Sequence, residues 1–361
     1  MLLDKDYKNK IDALLTLIVE KNASDLHLIA GFQPAMRING EIRPIDYPTL
    51  TPKDVECLIA SVLTEAQLQK LETNLELDFS YSIHGVARFR GNIMKQRGTW
   101  AAAFRAVPFI LPSFDSLGLP GEIKKLCDLS RGLVLVTGPT GSGKSTTLAA
   151  LIDIINTNRA LNIVTIEDPI EFLHKHKKST VRQREIGMDT HSFGEALKHV
   201  LRHDPDVILI GEMRDLESIS IALTAAETGH LVFSTLHTQT APLTISRIVD
   251  IFSSDKREQI RQQLAGSLKA VISQQLLPRA DRKGRVVAVE YMVNTPAIRS
   301  LIRDGKDHQL YSAIQTGHSY GMQTMDAALV KLYQSGKITR EIALEYCIDA
   351  GEVQRMMRNW I

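Results

Sequence analysis

The chain holds 361 residues with a formal net charge of +2; 44% are hydrophobic, 23% charged and 6% aromatic. That length suits two domains, and the near-neutral balance supplies neither the field nor the stacking platforms of a nucleic-acid binder. Three scattered cysteines (Cys57, Cys127, Cys347), no apolar segment of the ~18–20 residues that span a bilayer, and an early charge at Asp4 with no signal-peptide core set the expectation of a cytoplasmic protein whose membrane role is peripheral.

Residues 8–20 place Ile11, Leu14, Leu15, Ile18 and Val19 on one helical face. Asp25–Ile29 alternates as a strand, and Arg37–Arg43 predicts a hairpin turning at Asn39-Gly40, a pair that tolerates positive φ. Residues 52–63 and 65–71 read as helices. Leu77–Ile83 alternates with period two, and 87–94 and 99–107 continue an antiparallel sheet. These elements predict an α+β domain over residues 1–106. Pro108, Pro112, Gly118, Pro120 and Gly121 punctuate 107–121, which reads as a linker. From residue 122 to 361 the pattern becomes α/β. Apolar strands at 133–137, 162–166, 207–210 and 231–235 alternate with helices at 146–156, 193–202, 215–227 and 241–252. That order implies a mostly parallel sheet covered on both faces, with ligands at the carboxyl ends of its strands. Beyond about residue 254 helices dominate, broken by a strand over Arg285–Met292.

Gly138, Pro139, Thr140, Gly141, Ser142, Gly143, Lys144, Ser145 and Thr146 fit G-x-x-x-x-G-K-[ST], directly after the apolar run Leu133–Val136 and before a helix. Strand, glycine loop and helix N-terminus form the context in which backbone N–H groups cradle phosphate oxygens. Lys144 is then placed for the β- and γ-phosphates and Ser145 for Mg²⁺, so a nucleoside triphosphate is the expected ligand. Three further strands end in polar residues at the same edge: Glu167-Asp168-Pro169-Ile170-Glu171, Gly211-Glu212-Met213-Arg214-Asp215 and Leu236-His237-Thr238. Gly211 stands where a magnesium-binding aspartate is usual, which leaves the metal to Ser145, phosphates and water, with Glu167 or Glu212 nearby. Glu212 is the expected base for the attacking water, because Asp215 suits the helix N-cap better. His230 and His237 bracket one strand and are candidates for sensing phosphate. Arg90, Arg97 and Arg105, with Arg88, punctuate the late strands of the first domain and could supply a guanidinium to a γ-phosphate. His199 and His203 lack the Glu of H-E-x-x-H and read as a solvated face; His174–Lys178 reads as an exposed loop.

The set GPTGSGKST, TIEDPIEF, DPDVILIGEMRD and TGHLVFSTLHT resembles the Walker A, Asp box, Walker B and His box of the secretion-superfamily ATPases of bacterial pili and type II secretion, whose Walker B carries Gly-Glu. Asn294–Lys306 resembles a signature of the type IV pilus retraction ATPases, with Ser300 and Asp304 as departures, and Ile314–Gly317 and Tyr320–Asp326 continue the likeness. Extension ATPases carry a further N-terminal domain and a four-cysteine zinc insertion; three scattered cysteines and a start at the first domain set the expectation of a retraction member. The resemblance implies a smaller α+β, PAS-like domain followed by a RecA-like P-loop motor domain with a parallel sheet. It implies a homohexamer that hydrolyses ATP with Mg²⁺, with Arg90, Arg97 or Arg105 closing over the nucleotide. It also implies pilus retraction and twitching motility through an inner-membrane platform protein, peripheral association with that membrane, and no direct nucleic-acid partner. A RecA-type nucleic-acid translocase and a nucleotide-sensing adaptor that does not hydrolyse ATP remain alternatives at this point.

Overall fold

The computed structural model describes residues 5–38, 40–107 and 111–358. The chain divides into two compact units, Met1–Ile110 with Glu171–Leu173, and Leu111–Ile170 with His174–Ile361.

The first unit contains α1 (Lys5–Glu20), β1 (Asp25–Ile29), β2 (Ala35–Ile38), β3 (Glu41–Pro44), α2 (Pro52–Ala60), α3 (Glu65–Asn74), β4 (Glu76–Ile83), β5 (Ala87–Gln96) and β6 (Thr99–Val107). Its strands form one antiparallel sheet in the order β3-β2-β1-β6-β5-β4. The hairpin between β2 and β3 falls where expected, although Asn39 of its turn lies outside the described residues. Thr51 and Thr64 start α2 and α3 with capping boxes closed by Asp54 and Gln67, each satisfying orphan N–H groups. The core joins Ile11, Leu15 and Ile18 of α1 to Leu26, Phe89 and Phe104 of the sheet. Gly91 on β5 is paired with Phe79 on one side and Phe104 on the other. Those rings meet edge-on with centroids 5.8 Å apart. A Cβ at Gly91 would fall 2.3 Å from the Phe79 ring. Gly91→Ala should therefore overpack this core by about 1–3 kcal/mol, seen as a lower melting temperature with nucleotide binding unchanged.

The second unit follows with β7 (Gly132–Thr137), α4 (Lys144–Asn158), β8 (Asn162–Glu167), β9 (Thr180–Glu185), α5 (Phe193–Val200), β10 (Val207–Ile210), α6 (Leu216–Glu227), β11 (Leu231–Leu236), α7 (Ala241–Asp250), α8 (Arg257–Ser267), β12 (Leu268–Pro278), β13 (Arg285–Val293), α9 (Pro296–Arg303), α10 (Leu310–Thr316), α11 (Met325–Gln334), α12 (Arg340–Tyr346) and α13 (Ala350–Arg358). The sheet order is β13-β12-β7-β11-β10-β8-β9, parallel except for the β12–β13 pair. Every residue of β7, β10 and β11 is buried, as continuous apolar runs in a two-sided parallel sheet require. α5–α10 cover one face of the sheet, through Leu197, Leu223, Ile245, Leu264, Ile298 and Ile314. α4 covers the other face together with Phe114, Ile123 and Leu126.

The first of these, Phe114, corrects the linker expected over 107–121. The chain passes from one unit to the other at 110/111, and short 3₁₀ helices at Phe114–Leu117 and Gly121–Asp128 are already part of the second sheet's cover. Pro108 lies outside the described residues. Two strands were not expected, β9 and β12. The C-terminal helices α11 and α12 pack on the β12–β13 ribbon through Met325, Leu329 and Ala343 against Leu277 and Ala288.

Candidate active site

Parallel register sets which residues share the carboxyl edge of the second sheet. Thr137 of β7 is level with Leu236 of β11, Ser234 with Ile210 of β10, and Ile210 with Ile166 of β8. The chain therefore leaves these four neighbouring strands at Gly138, His237, Gly211-Glu212 and Asp168 on one edge.

Gly138, Gly141 and Gly143 have φ of +141°, +80° and +92°, conformations that let the loop turn its N–H groups inward ahead of α4. At Gly138 a Cβ would also fall 2.3 Å from the Gln274 carbonyl and 2.6 Å from Ser142 Oγ. Lys144, buried, donates to the carbonyls of Gly138 (2.8 Å) and Pro139 (3.0 Å). Burial lowers its pKa, and the charge of Glu212 acts against that shift, so the two groups feel one another across the edge. Ser145 is exposed at the first turn of α4.

Glu212 is the centre of the polar cluster. One carboxylate oxygen lies 3.1 Å from His237 Nε2 and the other 2.7 Å from an Arg214 guanidinium nitrogen. Burial opposes the charge of Glu212, yet Arg214 and His237 outweigh it and hold the carboxyl below the usual range. Asp215 caps α6 by accepting from Ser218 N at 2.8 Å, which leaves Glu212 to face the cluster. Gly211 also has a steric reason. A Cβ there would approach the Ile166 carbonyl to 3.2 Å and Glu167 Cα to 3.3 Å, so the end of β8 occupies the space an aspartate would need.

Glu167 is turned elsewhere: its Oε1 accepts from Thr165 Oγ1 (2.6 Å) and from Gln183 Nε2 (3.0 Å) on β9, the strand beyond β8. Of the two histidines, only His237 belongs to this edge. His230 precedes β11, its backbone carbonyl accepts from Gly132 N at 3.0 Å, and its ring nitrogen lies 3.0 Å from the Ala225 carbonyl. The strand's six residues put roughly 20 Å between the two histidines. In the first unit Arg90 and Arg105 are directly paired neighbours on β5 and β6. Arg105 is bound to Asp25 at 2.9 Å, whereas Arg97 sits in the β5–β6 turn with φ +48°. The three arginines do not form one cluster. His199 and His203 do not share a helix either, since α5 ends at Val200. In the expected exposed loop, Lys177 binds Asp153 at 2.6 Å and burial pushes His174 down to about 4.

Sequence reasoning missed Arg214 as a partner of Glu212, although both stand in the same five-residue strand end. It also missed a cavity of about 120 Å³ beside the phosphate loop, lined by Leu117, Leu119, Leu276, Val287, Gly143 and Gln274 among others. Gln274 Oε1 and Ser142 Oγ at this cavity are buried without a hydrogen-bond partner. The donor set suits Mg²⁺ held mainly by phosphate and water. Ser145 offers a hydroxyl at the loop, while among the described residues no group of three His, Cys, Asp or Glu could hold a metal ion.

Residues 4–301 match the model of the family described as type II/IV secretion system protein. The chain is 52% identical over 335 residues to the type IV pilus retraction ATPase PilT of Pseudomonas aeruginosa, covering 93% of this chain and 97% of that one. It is 49% identical to a twitching motility protein of Neisseria gonorrhoeae, over 87% of this chain and 84% of the relative. A crystal structure of the pilus retraction motor PilT with bound ADP superposes with a TM-score of 0.89 at 53% identity, over 95% of this chain and 98% of that one.

Proposed function

Because the chain belongs to the family of type II/IV secretion system proteins, we propose that it is the ATP-hydrolysing motor of type IV pilus retraction, supporting twitching motility. The observation that carries this reading is the single edge on which the phosphate loop, Glu212 and His237 meet. Lys144 lies against the β- and γ-phosphates of ATP once its present carbonyl partners are exchanged for phosphate oxygens. Glu212, kept ionised by Arg214 and His237, orients a water and accepts its proton as the oxygen bonds to the γ-phosphorus. The bond to the bridging oxygen then breaks and ADP and phosphate leave. Ser145 would hold Mg²⁺ at the loop, and the ion when bound would supply charge to the phosphate oxygens. The apolar cavity beside Gly143 suits the nucleobase.

The motor works as a homohexamer against an inner-membrane platform protein of the pilus machinery, from the cytoplasmic side. Among the described residues no helix is long and apolar enough to cross a membrane. Purified protein should release phosphate from ATP, and cells lacking the gene should keep their pili extended. Normal retraction without the gene would overturn the proposal.

A further inference from the structure

Glu290 is an acid inside the run Val286–Val293 of β13 and is fully buried. Its two oxygens are committed to two different helices. Oε1 accepts from Ala241 N, the first residue of α7, at 2.7 Å, and Oε2 from Met325 N, the first residue of α11, at 3.4 Å. Two helix N-termini therefore converge on one carboxylate, each adding its partial positive charge. α7 begins four residues after His237, whose ring touches Glu212. From α11 the link continues outward. Buried Asp326 accepts from Ile348 N (2.7 Å) and Asp349 N (2.9 Å), and Asp349 in turn accepts from Glu352 N at 2.9 Å in the first turn of α13.

We propose that Glu290 is a positioning residue, which seats the His237 loop and the C-terminal helices on one buried carboxylate and so couples the hydrolytic edge to that helical layer. This rests on the ATPase reading of the Glu212 edge. Burial raises the Glu290 pKa to about 7, against the two N–H groups that favour its charge. Asp326 on α11 is the charged group that faces it; α7 presents backbone and β12 presents Ser273. Protonation would turn one acceptor into an O–H facing a helix N–H.

The test is steady-state ATPase of the whole protein, wild type against Glu290→Gln, between pH 6 and 8. The expected result is a fall in kcat on the order of tenfold at pH 8 from the loss of a charge-assisted acceptor, with KM within about twofold because the phosphate loop is untouched. Wild-type kcat should drop as pH falls through about 7, and the variant should lose that component. Stability should respond in the opposite sense. A carboxyl whose folded pKa is raised stabilises the fold at low pH, and that contribution is lost as pH rises through about 7. Glu290→Asp should retain the pH component. Should the Gln variant not fold, Glu290→Asp decides, since its shorter arm spans only one helix end and must also lower kcat. A folded variant with wild-type kcat and pH profile overturns the coupling. Absence of phosphate release in the wild type would instead count against the ATPase reading itself.

Discussion

Glu212→Gln should lower kcat by about 10²–10⁴ while leaving ATP bound, the range expected when a positioned base is neutralised. The amide keeps the size of the side chain but cannot accept the proton of water, and it gives up charged contacts with Arg214 and His237 at 2.7 and 3.1 Å. Nucleotide affinity, measured by a fluorescent ATP analogue, should stay within a few-fold, because Lys144 and the loop glycines belong to the β7–α4 connection and not to the strand end that carries Glu212. The carboxyl is held below its ordinary range. Its contribution to stability is therefore present above the unfolded carboxyl range and lost only as pH falls through the lower folded value. Glu212 remains ionised at neutral pH, so activity changes between pH 6 and 8 do not arise from its loss of charge. Phosphate release near the wild-type rate in a folded Glu212→Gln protein would remove Glu212 from the chemistry and return the water to another group.

What the sequence revealed here follows from how local each signal is. The phosphate loop is legible because strand, glycines and helix are contiguous, and β7 and α4 bracket it as the motif demands. β9 was not, because Thr180–Glu185 is an edge strand whose polar residues are tolerated by a partner on only one side. β12 was hidden for another reason: Leu268–Pro278 follows α8 with no connecting loop, and its neighbours β7 and β13 are set by tertiary pairing. The placement of His230 was recoverable. Six strand residues at ~3.3 Å each separate it from His237, so two histidines that bracket a strand belong to opposite edges of the sheet. Phe114 shows the limit of reading linkers from prolines and glycines alone. Those residues punctuate the stretch, but apolar side chains between them cover the motor sheet. Glu290 did carry a signal, an acid inside the run Val286–Val293, whose meaning required knowing which helix ends it meets.

Lys144→Ala should reduce ATPase activity to background and abolish retraction without unfolding the protein. The side chain is 9% exposed and lies among loop carbonyls at the phosphate site. A buried ammonium on two phosphates contributes charge-assisted hydrogen bonds of about 1.5–3 kcal/mol each, so ATP affinity should fall on the order of 10²-fold or more. The effect on stability runs the other way. Burial lowers the Lys144 pKa, which means the fold disfavours its charged form; a lysine of this kind subtracts from stability at neutral pH and subtracts less as pH rises through its folded value. Removing it relieves that desolvation, and the carbonyls of Gly138 and Pro139 can turn to water at the exposed loop. The melting temperature without nucleotide should therefore equal or exceed that of the wild type, while the rise that ATP gives the wild type should disappear. A Lys144→Ala protein that still gains thermal stability from ATP would place the triphosphate elsewhere. Live imaging supplies the functional half of the comparison: cells carrying only this variant should extend pili and fail to withdraw them.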